Sequence, residues 1–386
     1  MSINRAWMLD RSLLDTGHWL LERAPTSNTP VAKEGMMPDS TTTSSLRLSE
    51  VHDQRPDSSH FLADVLEGLT GPEKSIPCKY LYDERGSRLF DGICGLEEYY
   101  PTRTEMEILR RNIIEIADCA GPACQVVEPG SGSGTKTKFL LDHLEDLHSY
   151  VPVDISRRHL ARAAEDLARK FRKLRVTPVC ADFTQPFEIA ESPPEHGHRL
   201  IFFPGSTIGN FMPHRAGEIL ALLAEVAGPR GALLIGVDLP KDQEVLERAY
   251  NDSKGITAAF NLNLLARINR ELGADFDLSG FEHHAVFNSQ ESRIEMYLVS
   301  LRRQTVTIAE EEIEFQAGQA ICTEWSYKHD LSVFEELASY AGWKRQQVWT
   351  DDRDWFSVQY FTHDIDLGGL DAQPYALKQQ SPFRPK

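Results

Sequence analysis

The chain has 386 residues, 41% hydrophobic and 26% charged, so one large or two modest globular domains are expected. A formal net charge of -17 repels phosphate backbones and anionic bilayers, which argues against nucleic acid and a membrane surface as partners. No apolar run approaches the roughly 18 residues of a membrane-spanning helix, and the six cysteines form no CxxC pair, so structural zinc is not expected.

Scattered cysteines suit a reducing cytoplasm. Residues 1–23 carry a short amphipathic pattern with no secretory core or cleavage site. The following "APTSNTPVAKEGMMPDSTTTSS" is too polar to offset its ordering entropy. Residues 1–58 are therefore expected to be a disordered or weakly ordered extension, with Met36 and Met37 as alternative translation starts. Next, Phe61, Leu62, Val65, Leu66 and Leu69 recur at helical spacing. Gly86 punctuates the segment after that, Pro101 marks a turn, and Thr104 is placed to cap a helix through Ile108 and Leu109.

Strands and helices then alternate. "CQVVEPG", "YVPVDI", "VTPVCADF", "RLIFFPGSTIGN" and "GALLIGVDL" read as five buried strands, with amphipathic helices between them. Apolar strands alternating with helices predict a mostly parallel sheet covered on both faces. Residues 241–328 interrupt the pattern: "RAYNDSKGITAAFNLNLLARINREL" reads as helix, and "HHAVFNSQESRIEMYLVSLRRQTVTI" as a hairpin of alternating strands. The helix "LSVFEELASYAGW" and a final antiparallel pair, "KRQQVWTD" and "WFSVQYF", complete the chain. His283 and His284 are adjacent and face opposite sides of a strand, a poor metal arrangement, and no metal is expected.

The loop "VVEPGSGSGTKTKFL" admits three readings. A phosphate-binding P-loop and a dinucleotide fingerprint both need glycine where Thr135 stands. What remains is an acid followed by alternating glycines: Glu128, Gly130, Gly132 and Gly134. This resembles the first motif of Rossmann-like methyltransferases that bind S-adenosylmethionine. Asp154, ending the second strand, is placed to accept ribose hydroxyls, and Asp182 ends the third at the usual adenine position.

"KYLYDERGSRLFD", "EEYYPTRTE", "FPGSTIGNF", "RAYNDSKGITAAFN", "FNSQESRIEMYL" and "CTEWSYK" together resemble the L-histidine Nα-methyltransferases of ergothioneine biosynthesis, over residues 59–361. The resemblance implies an α/β fold: a Rossmann-like class I S-adenosylmethionine-dependent methyltransferase sheet with a second α+β substrate-binding domain. Residues 59–104 and 241–328 would form the substrate domain, and 105–240 and 329–386 the methyltransferase domain. The implied reaction is transfer of three methyl groups to the α-amine of histidine, giving hercynine. Implied cofactor contacts are Tyr82, Gly130, Lys136, Asp154, Asp182 and Phe183. Implied histidine contacts are Tyr99, Gly205, Asn210, Tyr250, Glu324 and Ser326, with Phe90, Thr207 and Met296 shaping the pocket. One departure is Pro129, where relatives more often carry leucine, with a Ser-Glu pair before the lysine.

Methyl transfer to a neutral amine needs alignment more than a strong base, so no catalytic acid or base is assigned, and Tyr82 alone is placed near the amine. Asn210 and Tyr250 can donate to the substrate carboxylate, and the Gly205 carbonyl can accept from the amine. Glu324 and Ser326, two apart in an extended segment, face one side and suit an imidazole. From position alone Asn210 reads as a turn residue, Glu324 and Ser326 as ordinary strand polars, Tyr99 and Tyr100 as core aromatics, and Lys136 as a solvated lysine. The resemblance shifts these readings toward a site, with Tyr99 as a pocket residue and Tyr100 as packing. Competing readings are an N-methyltransferase of tryptophan or tyrosine, an idle cofactor-binding regulatory module, and a nicotinamide oxidoreductase, the last disfavoured by Thr135. A cytoplasmic monomer acting on L-histidine is expected.

Overall fold

The computed structural model describes residues 47–54, 59–132 and 134–363. Most of the extension expected over residues 1–58 lies outside the described residues. Its tail, 47–54, is ordered: Leu48 bridges Val176, and β1 (His52–Asp53) adds an edge strand to the main sheet.

Helix α1 (Ser59–Thr70), strand β2 (Lys74–Ser75), a 3-10 turn at Cys78–Leu81 and helix α2 (Glu84–Cys94) follow. Asp83 caps α2 by accepting the Gly86 N–H at 2.6 Å. Helix α3 (Tyr100–Ala120) begins earlier than its sequence suggests. Pro101 is part of its first turn, where proline's missing N–H costs nothing, and Thr104 is a buried interior residue rather than the cap.

The alternating region runs β3 (Gln125–Pro129), α4 (Thr135–Leu141), β4 (Ser149–Asp154), α5 (Arg157–Lys170), β5 (Arg175–Val176) and β6 (Val179–Cys180). It continues with β7 (Arg199–Phe203), a 3-10 turn at Thr207–Asn210, α6 (Pro213–Ala227) and β8 (Gly231–Asp238). The expected single third strand is two fragments, parted at Pro178, which has no N–H for the ladder.

Two helices, α7 (Gln243–Tyr250) and α8 (Ile256–Leu272), replace the single helical run read from the sequence. Asp252 in the break accepts the N–H groups of Ile256 at 2.9 Å and Thr257 at 2.7 Å, and so starts α8. Strands β9 (Phe281–Asn288), β10 (Arg293–Ser300), β11 (Gln304–Ile308), β12 (Glu311–Phe315) and β13 (Ala320–Tyr327) follow, then α9 (Leu331–Tyr340), β14 (Lys344–Thr350) and β15 (Phe356–His363).

The main sheet is ordered β1-β6-β4-β3-β7-β8-β15-β14, with β5 beside β4. Strands β6, β4, β3, β7 and β8 are parallel, whereas β15 runs antiparallel between β8 and β14. Strand order reverses between β3 and β7, which opens a crevice beyond their carboxyl ends. Alternate strand residues feed two cores: Val126, Tyr150, Leu200 and Phe202 pack against α3, α4 and α5, while Val127, Val153, Ile201 and Phe203 pack against α6 and α9. A second sheet, β2-β13-β10-β9, packs with α1, α2 and α8 in a third core, and β11 pairs with β12.

Candidate active site

Gly130, Gly132 and Gly134, which follow β3, all have positive φ, at 67°, 48° and 67°. Only glycine adopts this region freely, so the loop can expose its backbone at the crevice. A Cβ at Gly130 would stand 3.5 Å from the Phe183 ring. Pro129 is the last residue of β3, and its missing N–H is covered by Gly130 and Ser131, whose N–H groups both point to the Val153 carbonyl at 2.7 and 3.3 Å. Glu128 lies behind the loop. It is buried, accepts Thr137 Oγ1 at 2.6 Å and the Tyr150 hydroxyl, and burial pushes its carboxyl up to about 8.

The acids at the strand ends surround this loop. Asp154 accepts the Gly132 N–H at 3.3 Å and the Ser156 N–H at 2.8 Å. Asp182 accepts the Thr184 N–H at 3.0 Å and its hydroxyl at 2.6 Å through Oδ1, while Oδ2 lies 3.7 Å from the Lys79 ammonium. Phe183 packs edge-on against Phe203 and Phe211. Ser131 Oγ is buried without a hydrogen-bond partner. Three left-handed glycines, two carboxylates, an aromatic face and an orphaned hydroxyl fit the uncharged loop, ribose and adenine contacts of S-adenosylmethionine. Lys136 is not a solvated lysine: its ammonium pairs with Glu105 at 2.5 Å.

Beside this loop lies a cavity that draws on both sheets. Tyr82 follows the 3-10 turn, Phe90 comes from α2 and Tyr99 caps α3. Gly205, Thr207 and Asn210 come from the turn after β7, Tyr250 from the end of α7, and Glu324 and Ser326 from β13. Tyr82, read from the sequence as a cofactor contact, lines this cavity. Met296 does not line it. It is 1% exposed, part of the third core, and stands opposite Glu324 in the β10–β13 register. Opposed residues of an antiparallel pair share a face, so Met296 lies on the Glu324 side of the sheet and packs there with Ile294 and Leu298 in the third core.

Glu324 Oε2 accepts from Asn210 Nδ2 at 3.3 Å and from the Tyr82 hydroxyl at 3.4 Å. Burial pushes its carboxyl up to about 7, partly offset by Tyr82 and by the charge of Lys328. The Tyr250 hydroxyl, expected to serve a substrate carboxylate, is hydrogen-bonded to Ser326 Oγ at 2.7 Å. The rings of Tyr82, Phe90, Tyr99 and Tyr250 meet edge-on in sequence, with centroids 5.6, 6.3 and 6.0 Å apart.

Three further residues complete the site. Lys328 donates to Ser326 Oγ at 2.7 Å and pairs with Asp238 at 2.8 Å. Asp238 also accepts from the Tyr100 hydroxyl and from Lys241, each at 2.6 Å, so Tyr100 does more than pack. Burial raises the Asp238 carboxyl, but the two ammonium groups outweigh it and hold it below its usual range. Glu105 accepts the Gly205 N–H as well as Lys136. Signals for these residues exist in the sequence: Lys328 continues the two-residue alternation of Glu324 and Ser326, and Asp238 ends a strand just as Asp154 does.

The parallel sheet with its antiparallel β15, together with the glycine loop and strand-end acids, defines a class I S-adenosylmethionine-dependent methyltransferase. A family profile described as histidine-specific methyltransferase, SAM-dependent, matches residues 61–363, and the chain belongs to that family. It is 46% identical over 294 residues to the histidine N-alpha-methyltransferase of Mycolicibacterium smegmatis, covering 75% of this chain and 90% of that protein. Identity to the histidine N-alpha-methyltransferase of Mycobacterium tuberculosis is 43% over 321 residues, covering 81% and 98%. Ergothioneine biosynthesis protein 1 of Neurospora crassa is 30% identical over 287 residues, covering 72% of this chain and 32% of that protein. No helix among the described residues is long and apolar enough to cross a membrane.

Proposed function

We propose that this enzyme methylates the α-amine of L-histidine three times, giving hercynine, the first step of ergothioneine biosynthesis. The observation that carries the reading is the Glu324–Ser326 pair, buried on one strand and lining the cavity that also holds Asn210 and Tyr82. S-adenosylmethionine, when bound, supplies an electrophilic sulfonium methyl. Gly130, Asp154, Asp182 and Phe183 would hold it, with Lys136 anchored on Glu105 at the loop's edge.

The chain's own groups then position the amino acid. Asn210 uses one amide hydrogen on Glu324 and keeps the other for the substrate carboxylate. The Tyr82 hydroxyl donates to Glu324, which leaves its lone pairs for an α-amine hydrogen. Glu324 accepts a ring N–H. The edge-packed aromatic rings offer faces to an amine that becomes a fixed cation on its third methylation. No strong base is required, because alignment supplies much of the rate. Segments 59–104 and 241–328 form the substrate-covering part and 105–240 with 329–363 the methyltransferase part, the expected remainder 364–386 lying outside the described residues, and the enzyme acts as a monomer in the cytoplasm.

The test is mass spectrometry of an equimolar amino-acid mixture incubated with the enzyme and S-adenosylmethionine. Three methyl groups on histidine alone is the expected result. Methylated tryptophan or tyrosine instead would reassign Glu324 and Ser326. Cofactor binding without any transfer would replace the enzyme reading with an idle binding module.

A further inference from the structure

The direction of one hydrogen bond in the cavity is not open to choice. An ammonium only donates. The Lys328 side chain is 0% exposed, and its three protons have three acceptors: Asp238 Oδ2 at 2.8 Å, Ser326 Oγ at 2.7 Å and the Tyr250 hydroxyl oxygen at 3.3 Å. Ser326 Oγ also lies 2.7 Å from the Tyr250 hydroxyl, a contact in which either oxygen can supply the proton. A serine oxygen has two lone pairs and one proton. In the arrangement where the Tyr250 proton points to Ser326, both lone pairs are taken, and what Ser326 has left for the cavity is its O–H. Asp238, the counter-ion, is held in turn by Lys241 and Tyr100, so the ammonium cannot swing away without breaking a buried network. Two residues earlier on the same strand, the Glu324 carboxylate offers only acceptors when ionised.

We propose that Lys328 is a positioning residue that fixes Ser326 as a hydrogen-bond donor, so that the site reads one neutral imidazole tautomer, with its N–H toward Glu324 and its bare nitrogen toward Ser326. The proposal rests on the histidine reading and deepens it. A doubly protonated ring would turn its second N–H against the Ser326 proton. Lys328 touches no substrate atom: it acts through Ser326.

The test is nitrogen NMR of ring-labelled L-histidine bound to the full chain with S-adenosylhomocysteine, below the free ring's pKa of about 6.5. The wild-type complex should show one N–H nitrogen and one bare, hydrogen-bonded nitrogen. Two N–H nitrogens would overturn the proposal. In Lys328→Met, Ser326 regains a lone pair, the bound ring should show mixed protonation, and histidine affinity should fall about tenfold, the scale of one hydrogen bond. S-adenosylhomocysteine affinity should stay within about twofold. An unchanged tautomer and affinity in Lys328→Met would overturn the proposal. Should that variant fail to fold, Ser326→Ala serves: its bare nitrogen must shift toward the unbonded value, and an unmoved signal would refute the donor role. Absence of any bound histidine in the wild-type sample would overturn the histidine reading itself, and this proposal with it.

Discussion

The Glu105 carboxylate accepts the backbone N–H of Gly205 at 2.9 Å across 100 residues of chain, and the same group holds the Lys136 ammonium at 2.5 Å. One side chain of α3 thus ties the start of α4, which follows the glycine loop, to the turn after β7, which lines the cavity. Room for it is made at Gly236, where a Cβ would stand 2.1 Å from Glu105 Oε1. Glu105→Gln keeps an acceptor for Gly205 but strands the lysine charge. Breaking a buried pair on one side costs about 3 kcal/mol, so urea unfolding should show a loss of that order. KM for both substrates should rise together. A variant with wild-type stability and both KM values intact would mean that the two sides are not coupled here.

Much of this was legible in the chain because it is local. Apolar strands, amphipathic helices and the alternating glycines Gly130, Gly132 and Gly134 follow from spacing alone. Cavity residues from Tyr82 to Ser326 were nameable through motif resemblance. What was missed is non-local. The Lys136 partner, Glu105, lies 31 residues upstream, and the Lys328 partner, Asp238, sits on the other sheet, pairings that no spacing rule encodes. Proline misled twice. Pro101 starts a helix instead of turning the chain, and Pro178 splits a strand that its apolar neighbours made continuous. Met296 stands opposite Glu324 on the same face of the second sheet, so the motif that names it puts it beside the cavity wall without saying how much of its side chain the neighbouring core takes up.

Asp154→Ala should weaken S-adenosylmethionine binding by about 30- to 100-fold, the worth of one or two charge-assisted hydrogen bonds to ribose. The same carboxylate also accepts from Gly132, so the glycine loop loses a tether as well. Histidine affinity measured without cofactor should not change. Isothermal titration of each ligand separates these effects, and intact cofactor affinity would remove Asp154 from the ribose position.

Glu324 predicts a pH dependence whose sign is fixed. Its carboxyl is pushed up to about 7 from an ordinary 4.5, so the folded state holds the proton more tightly than the unfolded state. That contribution to stability is complete below the unfolded value and is lost as pH rises through the folded one. Glu324→Gln cannot ionise and lacks the loss. Between pH 5 and 8 the wild type should therefore lose up to about 3 kcal/mol relative to the variant in the absence of substrate. Denaturation midpoints at several pH values measure the difference, and parallel profiles would show that Glu324 is not strained by burial. Histidine should reverse the balance, because a ring N–H favours the ionised carboxylate: its affinity for wild type should exceed that for the variant, increasingly so as pH rises.

Gly209 marks the contact between the two sheets. It sits in the turn before Asn210, and a Cβ there would stand 2.8 Å from the Tyr327 carbonyl oxygen of β13. The φ of Gly209 is not positive, so alanine suits the backbone and the obstacle is the neighbouring strand. In Gly209→Ala the turn must move off β13, carrying Asn210 away from the Glu324 oxygen that it holds at 3.3 Å. Overpacking of this kind costs about 1–3 kcal/mol, and the strain falls on the substrate side of the site. KM for histidine should rise about tenfold, equivalent to the loss of one hydrogen bond, while cofactor affinity stays within about twofold, since the glycine loop and Asp154 are untouched. Equal losses for both ligands would indicate general loosening, and an unchanged histidine KM would mean that Asn210 is positioned independently of β13.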